Sequence, residues 1–269
     1  MKTISLISQP MISPVKYWNL VKGFVIREIR GRFAGTAGGL MWALATPLVT
    51  IIVYLFVFSL ILRVQVTASE TGTDSFGVYF LCGLFPWLLF ADGISNSVGC
   101  LLNNANLITK VVFPVEVLPL SSVVSGYVIN GTGMALFWIY LAFTGYAHWM
   151  WFMVIPVLFL QMVFTLGLAL LLSSACVFIR DIKEVTGIII MIWFFITPVF
   201  YPMSMVPDGI REFMTLNPMV GYMQIYRGIL LVHKIYAQEF IVVTGFSVFS
   251  YAAGAWFFMR AKRAFGDVL

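Results

Sequence analysis

The chain has 269 residues, of which 61% are hydrophobic and only 10% charged, with a mean hydropathy of +0.98. A soluble fold of this size cannot hide so much apolar surface, so the bilayer is the solvent. The formal charge of +5 is spread over the flanks of apolar runs, where it meets anionic lipid headgroups, and nucleic acid is not expected as a partner.

The first 38 residues are a basic tail with Lys2, Lys16, Lys22, Arg27, Arg30 and Arg32. They lack the apolar core and small-residue site of a cleaved signal peptide. Val15 to Phe33 suits a helix that places Lys16, Asn19, Gly23, Arg27 and Arg30 on one stripe, opposite Trp18, Val21, Val25 and Ile29. Such a helix lies in the membrane interface, as an anchor or as a docking surface. Glu28 and Arg32 have the spacing of an i,i+4 ion pair.

From Gly39 to Leu62 there are 24 residues without an acidic or basic side chain, enough for a first span. Ala43, Thr46, Pro47, Thr50 and Tyr54 form a small, mildly polar stripe along it, suited to close helix packing or to lining a pore. A short polar connection, Arg63 to Ser75, leads to a second span from Phe76 that turns polar near Asn103. Leu107 to Pro114 is a short amphipathic bend. A third span follows from Val117 to Thr144, and a fourth from Trp151 to Ile179, stopped by Arg180-Asp181-Ile182-Lys183-Glu184. The fifth, Val185 to Tyr201, closes with Thr197-Pro198. Met203 to Gln238 is too rich in Pro and Gly for a span yet too apolar for a solvated loop, which predicts re-entrant or interfacial helices. A sixth span, Glu239 to Met259, precedes Arg260, Lys262 and Arg263.

The expected architecture is all-α: an interface helix in a tail over 1–38, a six-helix membrane domain over 39–259, and a C-terminal tail over 260–269. Both termini then share one side. That side carries twelve of the sixteen lysines and arginines, which orients it to the cytoplasm.

Many rings sit at span ends, where Trp18, Trp149 and Trp151 suit headgroup anchoring. Tyr54, Phe58, Trp87, Phe194 and Tyr201 lie in segments that also carry a polar stripe or a proline, and ring faces pack well against the C–H faces of sugars. Asp92 is the one acid well inside an apolar stretch; the Ser95, Asn96 and Ser97 that follow place it near a hydrated helix end. The Asn130-Gly131-Thr132 sequon falls within a span and is uninformative. Cys82, Cys100 and Cys176 read as small buried hydrophobes, and with only His148 and His233 no metal site is expected. No Gly-Lys phosphate loop occurs, so the chain is no enzyme and any ATP hydrolysis belongs to another chain.

Four stretches resemble the membrane subunit of polysaccharide-exporting ABC transporters, the type-2 exporters of O-antigen, capsule or teichoic acid. They are Arg30-Gly31-Arg32-Phe33 through Gly39-Leu40-Met41-Trp42 and Pro47; Gly83-Leu84-Phe85-Pro86-Trp87; Arg180 to Glu184; and Thr197-Pro198 to Tyr201 with Asn217-Pro218-Met219. The resemblance implies a homodimer joined to two cytoplasmic ATP-binding cassette subunits in a bacterial cytoplasmic (inner) membrane, with ATP and Mg held by those subunits and none by this chain. It implies ATPase contact through Lys16 to Phe33 and through the bend at 107–116, with Arg27, Glu28, Arg30, Lys110, Phe113 and Glu116 as coupling candidates. Arg180 and Asp181 fall in a cytoplasmic loop, 203–238 forms an external gate, and Tyr54, Phe58, Phe194 and Tyr201 face a channel for a lipid-linked glycan, with Trp87 of the second span a further channel candidate from its own segment. A type-2 exporter of a small molecule or lipid shares this architecture. A proton-coupled carrier is the other alternative, although repeated halves and several intramembrane ionisable groups are not evident.

Overall fold

The computed structural model describes residues 17–61, 66–111 and 113–269; Lys2 and Lys16 of the tail and Arg63 of the first connection lie outside them. Every regular element among the described residues is helical. Helix α1 (Trp18–Phe33) is followed by a 3-10 turn at Gly39–Met41 and by α2 (Trp42–Leu55), which continues as a π turn over Phe56–Ile61. Next come α3 (Phe76–Val98), the short helix Cys100–Asn103, α4 (Ala105–Lys110) and α5 (Val117–Phe143). The 3-10 segment Trp149–Met153 leads into α6 (Val154–Phe178), and α7 is Ile182–Ile196. Helices α8 (Asp208–Met214) and α9 (Pro218–Arg227) follow, the latter extended by a π turn at Gly228–Val232. The chain ends with α10 (Ala237–Ala261), a 3-10 turn at Lys262–Ala264 and α11 (Phe265–Val268).

Among the described residues, five helical stretches are long and apolar enough to cross a membrane: Gly39–Phe58, Phe76–Val98, Val117–Phe143, Trp149–Phe178 and Ala237–Val268. The expected fifth span, 185–201, is corrected to the 15-residue α7, about 22 Å at 1.5 Å per residue and shorter than a bilayer core. The physical reason is Pro198, which pushes the preceding residue out of the helical region; Thr197 has φ −81° and ψ 133°. Among the described residues, five helices reach bilayer length and α7 is shorter. The second span, whose end the sequence leaves open, stops at Val98, where Gly99 interrupts it.

The helices alternate between two ends. At one, Leu101, Ile108, Val115, Val177, Phe258 and Phe265 form a single apolar cluster that ties together the α3–α5 connection, the end of α6 and the C-terminus. Phe265 is buried there, so the expected C-terminal tail is a packed cap. Most basic residues, among them Arg27, Lys110, Arg180, Lys183 and Lys262, belong to this end. At the opposite end Thr73 Oγ1 and Tyr146 Oη lie 2.6 Å apart, and the His148 and His233 rings stack at 4.3 Å.

In a bilayer lipid tails are as apolar as leucine, so helices associate through close packing and buried polar contacts. Helix α6 shows both against α10. A Cβ on Gly167 would strike the Ser250–Tyr251 backbone, one on Gly254 would strike the Gly167 carbonyl, and Ser250 Oγ donates to Phe164 O at 3.0 Å. Helix α3 is the centre of the bundle, packed by α5, α6 and α9. The small stripe on α2 packs against α5: Thr132 Oγ1 donates to Ala43 O at 2.9 Å, and Gly133 leaves room for Pro47. The three cysteines are buried and free.

Helix α1 buries Val21 and Val25 against Val117, with Leu120 and Val124 around them, so it lies along the first turns of α5. Trp18 is exposed, outside the buried stripe. One expectation for α1 is corrected. Arg32 pairs with Asp92 of α3 at 2.9 Å, not with Glu28, because Asp92 presents its carboxylate within reach of the end of α1.

Candidate functional site

The ring candidates divide into two groups on one face of α3. Phe76, Phe80 and Trp87 are separated by four and seven residues, which places them on the same side of a helix. Tyr54 and Phe58, one turn apart on α2 and its π extension, stack at 6.0 Å and 10°. Phe80 lies 4.7 Å from Tyr54 and 5.1 Å from Phe58, and Phe76 lies 4.9 Å from Phe58. Further along α3, Trp87 meets Phe194 of α7 at 5.4 Å and Trp193 at 6.4 Å. Trp87 is only 4% exposed, so it braces α7 from inside the core and is not on an open face. Phe194 is half-buried beside Phe195 and Phe200, and Tyr201 Oη donates towards the last carbonyls of α7, Phe195 O and Ile196 O, at 3.2 and 3.1 Å.

Helices α2 and α7 therefore both lean on the ring-bearing face of α3, and each leaves an apolar face uncovered. Leu44, Leu48 and Ile52 of α2 and Ile188, Ile192 and Phe195 of α7 are exposed. Phe76, Phe80, Trp193 and Phe200 belong to the same ring array and were missed; the four-residue spacing of Phe76 and Phe80 was their signal.

At the basic end, the Phe24 and Phe113 rings stack at 6.0 Å, which joins α1 to the bend. Arg27 sits 4.5 Å over the Phe24 ring and donates to Asn104 Oδ1 at 2.9 Å. Arg27, Glu28, Asn96, Asn103, Asn104 and Ser121 line a polar cavity of about 190 Å³ beneath α1. Arg30, Lys110, Arg180 and Asp181 are exposed. Glu116 is not: its carboxylate is buried against Lys262 Nζ at 2.9 Å, inside the fold. The structure thus brings Arg27, Glu28 and Phe113 together and sets Glu116 apart.

Asp92 accepts from Arg32 at 2.9 Å and from Asn130 Nδ2 at 3.0 Å, so one carboxylate ties α1, α3 and α5. The residues near it, including Asn96 bonded to its carbonyl at 2.6 Å, did suggest a polar helix end. What the sequence does not show is the cation from 60 positions away. Asn130, set aside as a meaningless sequon, is its third partner.

Within the 203–238 region, α9 packs against α3 and α10, whereas α8 buries only Met214, with Val206 and Val220. Asn217 caps α9: its Oδ1 accepts from Met219 N at 3.0 Å and from Trp193 Nε1 at 2.8 Å, and its Nδ2 donates to Thr197 Oγ1 at 3.0 Å. Pro218 follows at the first helical position, where its missing N–H costs nothing. Buried Tyr226 donates to Gln161 Oε1, and Gln161 Nε2 to Pro86 O, both at 2.7 Å. Arg227, also buried, donates to Pro198 O and Val199 O at 2.7 and 2.6 Å. None of Gln161, Tyr226 and Arg227 was singled out from the sequence, since their partners lie far along the chain.

These contacts brace the helices against one another at both ends of the bundle. The sequence model of the ABC-2 type transporter family matches residues 19–231. Over 248 residues the chain is 28% identical to the O-antigen export system permease protein RfbA of Klebsiella pneumoniae, covering 90% of this chain and 92% of that protein. It is 29% identical over 258 residues to the protein of the same name from Myxococcus xanthus, covering 94% and 96%. It is 25% identical over 216 residues to the polysialic acid transport protein KpsM of Escherichia coli, covering 77% and 79%. With its membrane-length helices and a match over most of its length, the chain belongs to the ABC-2 type transporter membrane family.

Proposed function

We propose that two copies of this chain form the conduit of an exporter that threads a lipid-linked polysaccharide out across a bacterial inner membrane, driven by two ATP-binding cassette subunits. The observation that carries this reading is the pair of uncovered apolar helices, α2 and α7, both resting on the ring array of α3. A second copy meeting these faces encloses a path whose walls hold Tyr54, Phe58, Phe194 and Tyr201. Ring faces give a glycan many weak and similar contacts, so that it slides without being held.

Helix α7 completes a sixth crossing in this reading, since it starts at Asp181 at the basic end and its closing turn at 198–199 meets Arg227 at the other. Both termini and the 107–116 bend then face the cytoplasm, in keeping with the excess of basic residues there. Lys110, Arg27 and Arg30 offer exposed charge to the ATPases. The names borne by the relatives support a glycan as cargo.

Two experiments test this. With Cys82, Cys100 and Cys176 replaced by Ser or Ala, Ile52→Cys or Ile188→Cys should cross-link between copies in membranes; no cross-link at either position contradicts the shared conduit. A reporter after Gly72 should read as external, and a cytoplasmic signal there contradicts the topology.

A further inference from the structure

We propose that the C-terminal cap, residues 262–268, is a strut joining the 107–116 bend to α10, and that Lys262 is its positioning residue. A push on the bend then reaches the opposite end of the bundle through α10 as well as through α5. The inference deepens the exporter reading and rests on it.

The joint is the Lys262–Glu116 pair, 2.9 Å apart, with side chains 1% and 7% exposed. Removing two charges from water is costly, and such a pair holds only while its geometry is kept. It therefore resists separation of the bend from the C-terminus, two segments 146 residues apart. Phe265 reinforces the joint from the apolar side, buried with Leu101, Ile108 and Val115. Of the cations beside Lys262 in the chain, Arg260 lies over Trp256 at 4.1 Å and Arg263 is exposed.

Lys262 follows the last residue of α10 directly, so displacement of the joint is displacement of that helix. Its close glycine packing makes α10 one body with α6, and its other half carries α9. Tyr222 Oη lies 2.6 Å from Ser247 Oγ. A Cβ on Gly221 would come within 2.7 Å of Val243 Cγ1, so the two helices meet without intervening side-chain bulk on α9. Helix α9 in turn ends in Arg227, which holds the turn closing α7. The bend, the Glu116–Lys262 pair, α10, Tyr222 and Arg227 thus form a continuous set of packed contacts from one end to the other, with no ring of the conduit among them.

The test uses the full chain purified with its ATP-hydrolysing partner and reconstituted in vesicles, reading glycan exported per ATP hydrolysed. The double variant Glu116→Gln with Lys262→Met removes both charges, so neither is left buried alone. Its ratio should fall about tenfold with the complex intact on gel filtration, and the swap Glu116→Lys with Lys262→Glu should recover to within about threefold of the wild type. Phe265→Ala, which touches no charge, should lower the ratio in the same direction by about threefold. A wild-type ratio in both the neutral pair and Phe265→Ala, a swap as poor as the neutral pair, or a neutral pair that no longer assembles overturns the strut. Absence of ATP-dependent export by the wild type overturns the exporter reading and the strut with it, whereas export with unchanged ratios in the variants removes the strut alone.

Discussion

The guanidinium of Arg227 lies 3.7 Å over the ring of Tyr79 while its terminal nitrogens bond the carbonyls of Pro198 and Val199. No carboxylate of the described residues is among its partners. A buried cation is held here by two carbonyl dipoles and a π face, and in that position it pins α9 to the start of α3 and to the turn after α7. In the exporter reading this is the fastening of the outer gate.

Arg227→Met should therefore loosen that end. Loss of the two bonds and the ring contact should cost on the order of 2–4 kcal/mol, seen as a lower thermal midpoint of the purified protein. Arg227→Lys should recover little, since an ammonium cannot reproduce the planar two-carbonyl grip. Vesicles carrying Arg227→Met should leak a small dye without ATP. Tight vesicles with an unchanged midpoint would mean that the pin holds nothing.

Asp92 and Arg32 form a pair with both side chains about a quarter exposed, so solvent screens it and its expected coupling is modest. A double-mutant cycle with Asp92→Asn and Arg32→Gln should give about 1 kcal/mol in thermal unfolding. Asn at position 92 retains an acceptor for Asn130, which keeps α3 and α5 joined. A coupling of zero would show that this pair does not help to hold α1.

The ring pair at the conduit is tested by length. Tyr54→Ala with Phe58→Ala should slow export of long glycans several-fold while short ones are less affected, because a long chain meets the rings repeatedly. Tyr54→Phe, which keeps the ring, should export normally. Equal export of all lengths in the double alanine variant would reduce these rings to packing against Phe76 and Phe80.

Charge reversal separates docking from folding. Arg27→Glu or Lys110→Glu should lower export per ATP hydrolysed and leave the two copies associated. Lys110 is exposed and has no side-chain partner among the described residues, so its reversal is the cleaner of the two. Unchanged export in both variants would exclude this docking face.

Two glycines make a matched pair for stability. At Gly254 an added methyl meets the Gly167 carbonyl, so Gly254→Ala should destabilise by about 1–3 kcal/mol through forced separation of α6 and α10. At Gly23, an exposed site within α1 with open space around it, Gly23→Ala should stabilise the helix by roughly 0.5–1 kcal/mol. Thermal unfolding in detergent reads both signs, and the same sign at both would contradict this packing.

The spans were legible because their signal is local. Charge-free runs bounded by basic residues or by Pro and Gly gave Val117–Phe143 almost to the residue, and placed the 3-10 start of α6 and both ends of α10 within a few positions. The overlong reading of α7 came from counting apolar residues past Pro198. The tie points were not legible: Arg32 with Asp92, Arg227 with Pro198 and Val199, and Lys262 with Glu116 join positions far apart in the chain. Nothing in the residues near Glu116 says that it turns inward to a lysine at the C-terminus, and so it read as exposed coupling charge. Trp87 misled for a related reason, since a Pro-Trp step in a span looks like a channel feature until α7 is seen to cover it.

The most direct test of the account is transport by the purified chain in sealed vesicles, with and without its ATP-hydrolysing partner. The account predicts that lipid-linked glycan reaches the far side only when the partner and ATP are both present. Uphill transport by the chain alone, driven by an ion gradient, would contradict it.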